Sequence, residues 1–208
     1  MSSPSVLFLE LEKRIGELTE KFVADQVAAE AADIANFVPD LDRLAAYRLL
    51  SHAEIEDYLE RKARARINIL EGKLNSNSLS ASGDLSLYVL AALVEETLPF
   101  ECPHDENKFL NRVRAVVQAA KNLIDNNNGV KANSFMNLSI IAGKMIYEVD
   151  SALASSLSSF GTSRGDVAHR GVGRTSSILA PSSEMKSTLD LVKHLKLYFY
   201  YDPMEVST

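Results

Sequence analysis

Apolar residues recur along the chain at steps of three and four residues, far more often than at steps of two. This spacing is that of an α-helix with one buried face, whereas a half-buried strand alternates with a period of two. Residues that interrupt helices are scarce, with 9 Gly and 6 Pro among 208 residues. The pattern therefore predicts an all-α protein.

The helical pattern divides into segments that end at glycine, proline or a polar turn. The predicted helices cover residues 5–36 (as one or two helices), 44–74, 85–98, 109–124, 133–143, 146–160 and 185–199. Asp40 or Asp42 is expected to cap the second segment. On that segment the predicted buried stripe consists of Ile55, Leu59, Ala63, Ile67, Leu70 and Leu74. Residues 161–183, rich in glycine, serine and threonine, are predicted to form a loop.

One main helical domain is expected, preceded by a helical extension. Pro39 interrupts the first helical pattern, because proline disfavours the helical conformation in the residue before it. We therefore assign residues 1–42 to an N-terminal helical extension and residues 43–208 to a helical domain.

Length, cysteine content and charge narrow the function classes. A chain of 208 residues can bury a sizeable core without disulfides, and its single cysteine, Cys102, cannot form an intrachain disulfide. Neither a membrane span nor a signal peptide is expected, because every apolar run is short and interrupted by charges. The net charge of −6 argues against a general cationic coat for nucleic acid. A cytoplasmic location is expected.

Candidate chemistry concentrates in residues 160–171, which contain Arg164 and His169. On one straight helix these two residues would lie about 140° apart around the axis and would not share a face. Three arrangements could bring them together: a backbone turn near Gly165, an Arg164 side chain that reaches round the helix, or the same motif from a second subunit.

Asp166 lies three residues before His169, close enough on a helix to share its face. Its carboxylate could orient the imidazole by holding one tautomer. It could equally cap the helical turn that contains His169, and this is the interpretation that we favour.

An arginine and a histidine together suit phosphodiester chemistry. The guanidinium fork matches a phosphate, and neutral imidazole can take up a proton near neutral pH. RNA supplies its own nucleophile, the adjacent 2′-hydroxyl, so cleavage needs a base, an acid and charge stabilisation, but no metal. The alternative is an exposed arginine beside an unrelated surface histidine, and the spacing alone favours that alternative.

Three segments of the chain carry a resemblance to a known family. They are Ser159-Phe-Gly-Thr-Ser-Arg-Gly-Asp-Val-Ala-His169, Asn126-Asn-Asn-Gly-Val-Lys-Ala-Asn133 and Ser51-His-Ala-Glu-Ile-Glu-Asp-Tyr-Leu59. They resemble the R-G-x-x-A-H signature, the N-N-G-I-K turn and the H-x-x-I-E-x-[FY]-L helix of the RiboL-PSP-HEPN group within the HEPN superfamily. The resemblance extends over about residues 43–195.

The resemblance implies a HEPN-type helical bundle that pairs as a symmetric homodimer, with the two R-x4-H segments facing one cleft. HEPN ribonucleases cleave RNA without metal and leave a 2′,3′-cyclic phosphate and a 5′-hydroxyl. By this resemblance, Arg164 would stabilise the scissile phosphate and His169 would be the acid/base group. Gly165 departs from the wider superfamily, in which a polar residue often follows the motif arginine, so the resemblance implies no orienting role for that position.

Further residues are candidates for supporting roles. Within the HEPN-like segments, His52 and Glu56 would either orient Arg164 or form a buried polar pair that joins helices. Basic residues could track RNA phosphates or simply form a solvated face; they are Arg61, Lys62, Arg64, Arg170 and Arg174. No metal site is expected from Cys102 and its neighbours, and no cofactor is expected.

The favoured hypothesis is a metal-independent endoribonuclease with a role as a toxin or an antiviral-defence effector. RNA is then the substrate, and a cognate antitoxin would be a protein partner. The alternative is a non-catalytic HEPN module that binds RNA or a partner protein, and a helical oligomerisation unit without RNA affinity is a third interpretation. Nucleotide hydrolysis, dinucleotide chemistry, serine hydrolysis and zinc proteolysis lack their usual motifs.

Overall fold

The computed structural model describes residues 5–76, 90–95, 106–170 and 178–199, and for residues 106 and 164–170 it describes the backbone alone. Within these ranges the secondary structure is helical, and they contain no strand. The predicted all-α class is confirmed. None of the helices in these ranges combines the length and the apolar composition needed to cross a bilayer.

The described helices follow the predicted order. They are α1 (Val6–Phe22), α2 (Ala24–Ala32), α3 (Leu41–Asn75), α4 (Glu106–Asp125), α5 (Ala132–Ile141), α6 (Ser151–Arg170) and α7 (Pro181–Phe199), with one turn of 3-10 helix at Ile146–Glu148. The predicted helix over residues 85–98 falls mostly outside the described residues; within it, residues 90–93 are helical.

Side-chain caps begin several helices. The Asp40 carboxylate accepts a hydrogen bond from the Arg43 amide at 3.1 Å, so Asp40 caps α3. Asp150 caps α6 in the same way, by accepting from the amides of Ala152 at 2.9 Å and Leu153 at 3.0 Å. These bonds satisfy amides of the first turn, which have no partner within the helix.

The predicted loop over residues 161–183 is wrong at both of its ends. Helix α6 continues to Arg170, and α7 already begins at Pro181. Gly161 lies within α6 and does not end it. At this residue α6 approaches α3, since a methyl group added to Gly161 would lie 3.4 Å from His52 Nε2. The favoured role of Asp166 as a helix cap is also wrong, because Asp166 lies within α6 rather than at its start.

Two compact units are distinguished by their contacts, and α3 contributes its residues up to Tyr58 to the first and those from Leu59 to the second. Unit 1 takes its described residues from Met1–Tyr58, Gly129–Ala132 and Asp150–Thr208, and unit 2 from Leu59–Asn128 and Asn133–Val149. The predicted boundary at residue 42 stays a prediction.

Unit 1 is built from α1, α2, the first part of α3, α6 and α7. Helix α7 contacts α1, α2 and α6. The Tyr58 ring lies between two others, with its centroid 5.8 Å from that of Phe8 and 5.9 Å from that of Phe199. Other buried apolar residues of the unit are Leu11, Ile15, Leu44, Tyr47, Leu157 and Leu195.

Polar contacts add to this packing in unit 1. Glu30 of α2 accepts hydrogen bonds from the Ser182 amide at 2.9 Å and the Ser182 hydroxyl at 3.1 Å, and thereby caps α7 from another helix. Arg43 of α3 binds both carboxylate oxygens of Asp25, at 2.8 and 2.7 Å. These hydrogen bonds hold the pKa of the Asp25 carboxyl below its usual value.

Unit 2 contains the second part of α3 with α4 and α5. Its part of the predicted α3 stripe is buried, which confirms the prediction, and Ile55 is buried in unit 1. Buried residues of α4 and α5 include Val113, Val116, Ala120, Ile124, Phe135 and Leu138. Lys121 of α4 binds Glu71 of α3 at 2.7 Å.

Two glycines of unit 1 allow a matched test of backbone conformation. Gly129 has φ +102°, whereas Gly16 lies within α1 and an added methyl group there would meet no atom within 4 Å. Gly129→Ala is expected to lower the free energy of unfolding by about 1–2 kcal/mol, and Gly16→Ala to raise it by about 0.5–1 kcal/mol. Urea denaturation followed by circular dichroism measures both, and equal stabilities would contradict the prediction.

Candidate active site

Arg164 and His169 lie in the last two turns of α6. Because this helix is continuous through both residues, the backbone does not turn at Gly165, and the first of the three arrangements considered above is wrong. The remaining two are an Arg164 side chain that reaches round the helix and a pair completed by a second subunit. The side chains of Arg164, Asp166 and His169 lie outside the described residues, so their distances stay predictions.

The basic residues that follow His169 are located only in part. Arg170 is the last residue of α6, and its side chain is outside the description. Arg174 lies outside the described residues altogether. Their contact with RNA stays a prediction.

His52 lies on α3 in unit 1, where it is 1% exposed. Its Nδ1 is 3.5 Å from an oxygen of Glu56, one turn further along the helix. The Glu56 carboxylate also accepts a hydrogen bond from the Gly129 amide, in the turn that precedes α5. The two side chains therefore form a polar pair, buried at its histidine, that joins α3 to this turn.

The same histidine connects α3 with α6. Its ring stacks on Phe160, with the ring centroids 5.9 Å apart and an interplanar angle of 20°. Gly161 follows Phe160, and its lack of a side chain leaves room for the imidazole. His52 thus contacts α6 one turn before Arg164, which brings two of the family-like segments together in space. A direct contact between His52 and Arg164 stays a prediction.

The basic residues Arg61, Lys62 and Arg64 belong to unit 2 and occupy different environments. Arg61 and Arg64 are exposed, and Arg64 binds Asp125 at 2.6 Å. Lys62 is only 4% exposed, so a phosphate contact there would require its side chain to move. The three residues do not form one uniform cationic surface.

Sequence reasoning missed a buried ion pair in unit 1. Arg48 of α3 and Glu184 in the first turn of α7 have side chains that are 3% and 4% exposed. The guanidinium binds both carboxylate oxygens, with Nε 3.1 Å from Oε2 and an Nη2 contact to Oε1. One signal was present in the sequence: Arg48 lies four residues after Leu44 and seven before Ile55, on the line of the apolar stripe.

This pair contacts backbone groups directly before the R-x4-H segment and just before α7. Arg48 Nη1 donates to the Ser163 carbonyl at 3.4 Å, directly before Arg164. Glu184 accepts from the Leu179 amide at 2.7 Å.

A groove of about 400 Å³ is lined by residues of α3, α6 and α7, including both members of the ion pair. The lining includes Arg48, Glu184, Phe160, Ser159, Ser163 and His194. Its volume falls within the range of small-molecule sites. Asp190 also lines it, and the hydrogen bond from Lys186 holds the pKa of the Asp190 carboxyl below its usual value.

No protein-family model, no curated protein and no solved structure matches this chain. The resemblance described above therefore rests on the three sequence segments and their order. In the part of the chain that the structure describes, no group of three or more His, Cys, Asp or Glu side chains is placed to hold a metal ion.

Proposed function

We propose that this chain is a metal-independent endoribonuclease of the HEPN type, active as a symmetric homodimer. The observation that supports this most directly is the segment Arg164-Gly-Asp-Val-Ala-His169 on the last turns of one continuous helix. On such a helix the two residues lie about 140° apart, which favours a site completed by the same segment of a second subunit.

In this proposal the reaction is a transesterification followed by release of the product ends. The RNA 2′-oxygen forms a bond to phosphorus while the bond from phosphorus to the 5′-oxygen breaks. A neutral His169 takes the proton of the 2′-hydroxyl, and the imidazolium that forms gives a proton to the leaving 5′-oxygen. Arg164 stabilises the charge that develops on the phosphorane. The products are a 2′,3′-cyclic phosphate and a 5′-hydroxyl.

A role as a toxin or an antiviral-defence effector belongs to the same proposal, because many HEPN ribonucleases have such roles. A cognate antitoxin protein would then restrain the enzyme in the cell. RNA degradation on induced expression, prevented by co-expression of that protein, is the expected observation.

The test is cleavage of single-stranded RNA by the purified chain in EDTA. An otherwise identical RNA with one 2′-deoxy nucleotide at the cleaved position is the matched substrate, because it lacks the proposed nucleophile at that bond alone. The RNA should be cut and the deoxy-substituted bond should stay intact. Cleavage of the deoxy-substituted bond would refute the mechanism, and salt-sensitive RNA binding with intact ends would favour a non-catalytic RNA-binding module instead.

A further inference from the structure

We propose that Arg48 and Glu184 are positioning residues for the R-x4-H segment, an inference that rests on the proposed function. They belong to α3 and α7, whereas the segment belongs to α6. Their ion pair is buried, and it contacts the backbone directly before Arg164 and again at Leu179, two residues before α7 begins.

Contacts to backbone atoms suit a positioning role. The Ser163 carbonyl and the Leu179 amide are main-chain groups, so the ion pair holds the path of the chain whatever side chains those two residues carry. The Arg48 fork is bound to Glu184 through Nε and Nη2, which directs Nη1 towards α6. A lysine at this position would lack the planar fork that makes both contacts together.

Stability alone gives little reason for charges at this place. Burying an ion pair costs desolvation of both groups, and well-packed apolar residues of similar volume are often equally stable. The two backbone contacts, by contrast, depend on the polar atoms of the pair. Catalysis is sensitive to small displacements, because a shift of about 1 Å can cost about 100-fold in rate.

The decisive variant is the double substitution Arg48→Met with Glu184→Leu, which keeps the volume of the pair and removes both backbone contacts. Cleavage of single-stranded RNA under single-turnover and steady-state conditions gives kcat and KM. We expect kcat to fall about 10- to 100-fold with KM within about twofold of the wild-type value. A structural role alone would not separate kcat from KM in this way, and an unchanged kcat would overturn the proposal.

The matched control replaces another ion pair between helices of unit 1. Arg14 of α1 binds Glu54 of α3 at 3.1 Å, and 46% of the Arg14 side chain and 26% of the Glu54 side chain are exposed. Arg14→Gln with Glu54→Gln is expected to leave kcat at the wild-type value. A fall in kcat equal to that of the Arg48 and Glu184 variant would overturn the specific role of the buried pair.

Amide hydrogen exchange separates failure of this inference from failure of the proposed function. Exchange in residues 164–170 should be faster in the Met/Leu variant than in the wild type, and unchanged in the Arg14 and Glu54 control. If the wild-type chain does not cleave RNA, the proposed function fails, and this exchange measurement still decides whether the pair orders the segment. Unchanged exchange in the Met/Leu variant would overturn the inference.

A second variant tests the same positioning role if the double substitution prevents folding. Arg48→Lys keeps a cation beside Glu184 but cannot span Glu184 and the Ser163 carbonyl with a rigid fork. The expected result is again a lower kcat with an unchanged KM. Wild-type kcat in Arg48→Lys, together with wild-type exchange in residues 164–170, would overturn the role of Arg48.

Discussion

Replacing Arg164 or His169 with alanine is expected to slow RNA cleavage severely without unfolding the protein. Loss of a general acid or base costs about 10²- to 10⁴-fold in rate, and loss of one group that stabilises transition-state charge costs about 10²- to 10³-fold. The measurements are kcat on single-stranded RNA in EDTA and the thermal unfolding midpoint of each variant.

The pH dependence of cleavage is a second measurement on the same variants. Because only a neutral His169 can take up the proton of the 2′-hydroxyl, the rate should rise with pH across the range in which histidines titrate, about pH 5–8. The His169→Ala variant should lose this profile. A flat profile in the wild type would contradict the acid/base role.

A neighbouring arginine provides the matched control. Arg170 ends the same helix, and it is one of the basic residues that could track RNA phosphates. Arg170→Ala should weaken RNA binding and its salt dependence while leaving kcat near the wild-type value. Wild-type cleavage by Arg164→Ala or His169→Ala would refute the catalytic assignment.

Mixing the two inactive variants decides between the two arrangements that a continuous α6 leaves open. A mixed dimer has Arg164 on one subunit and His169 on the other, so it retains one pair across the dimer and none within a subunit. Random exchange makes about half of the dimers mixed, with one of two pairs complete, so about a quarter of the wild-type activity should return. No recovery after verified subunit exchange would favour an Arg164 side chain that reaches round its own helix.

The helical class could be predicted from the sequence because period and caps are local properties. The α3 stripe from Ile55 to Leu74 repeats with helical spacing, and Asp40 before it can satisfy free amides of the first turn. Such signals depend on residues three to seven positions apart. These signals can therefore be recognised without knowledge of the tertiary structure.

The end of α6 could not be predicted in the same way. Gly161 weakens a helix by its intrinsic propensity, and this local signal predicted a loop. In the structure the small residue faces His52 of α3, so the contact between two helices overrides the propensity. The compensating partner is more than a hundred positions away in the sequence, which is why the local pattern indicates the wrong state.

The candidate site also contains residues that the sequence identifies and residues that it does not. Arg164 and His169 are recognisable because they lie close together in a distinctive segment, whereas Arg48 and Glu184 lie 136 residues apart and form no motif. Arg48 on the apolar stripe indicates that a buried charge needs a partner. Which acidic residue supplies it depends on how α7 packs, and the sequence pattern does not specify that.

The buried pair should also have the largest effect on stability among the described polar contacts. Removing one member leaves the other as an unpaired buried charge, so Glu184→Ala should lower the free energy of unfolding by about 3–5 kcal/mol. The variant Arg48→Met with Glu184→Leu should instead lie within about 1 kcal/mol of the wild type, because it leaves no buried charge. Urea denaturation at constant pH measures both.

The double variant removes the carboxylate that accepts from the Leu179 amide. Water can replace this acceptor, because Leu179 is 49% exposed.

An exposed ion pair provides the comparison for Glu184→Ala. Asp25→Asn breaks the contact with Arg43, and because solvent can replace this contact for both residues, the free energy of unfolding should barely change. If Glu184→Ala lowers the free energy of unfolding no more than Asp25→Asn does, water reaches the Arg48–Glu184 pair. If the double variant is as unstable as Glu184→Ala, the charges themselves stabilise the fold, and their presence no longer calls for a positioning role.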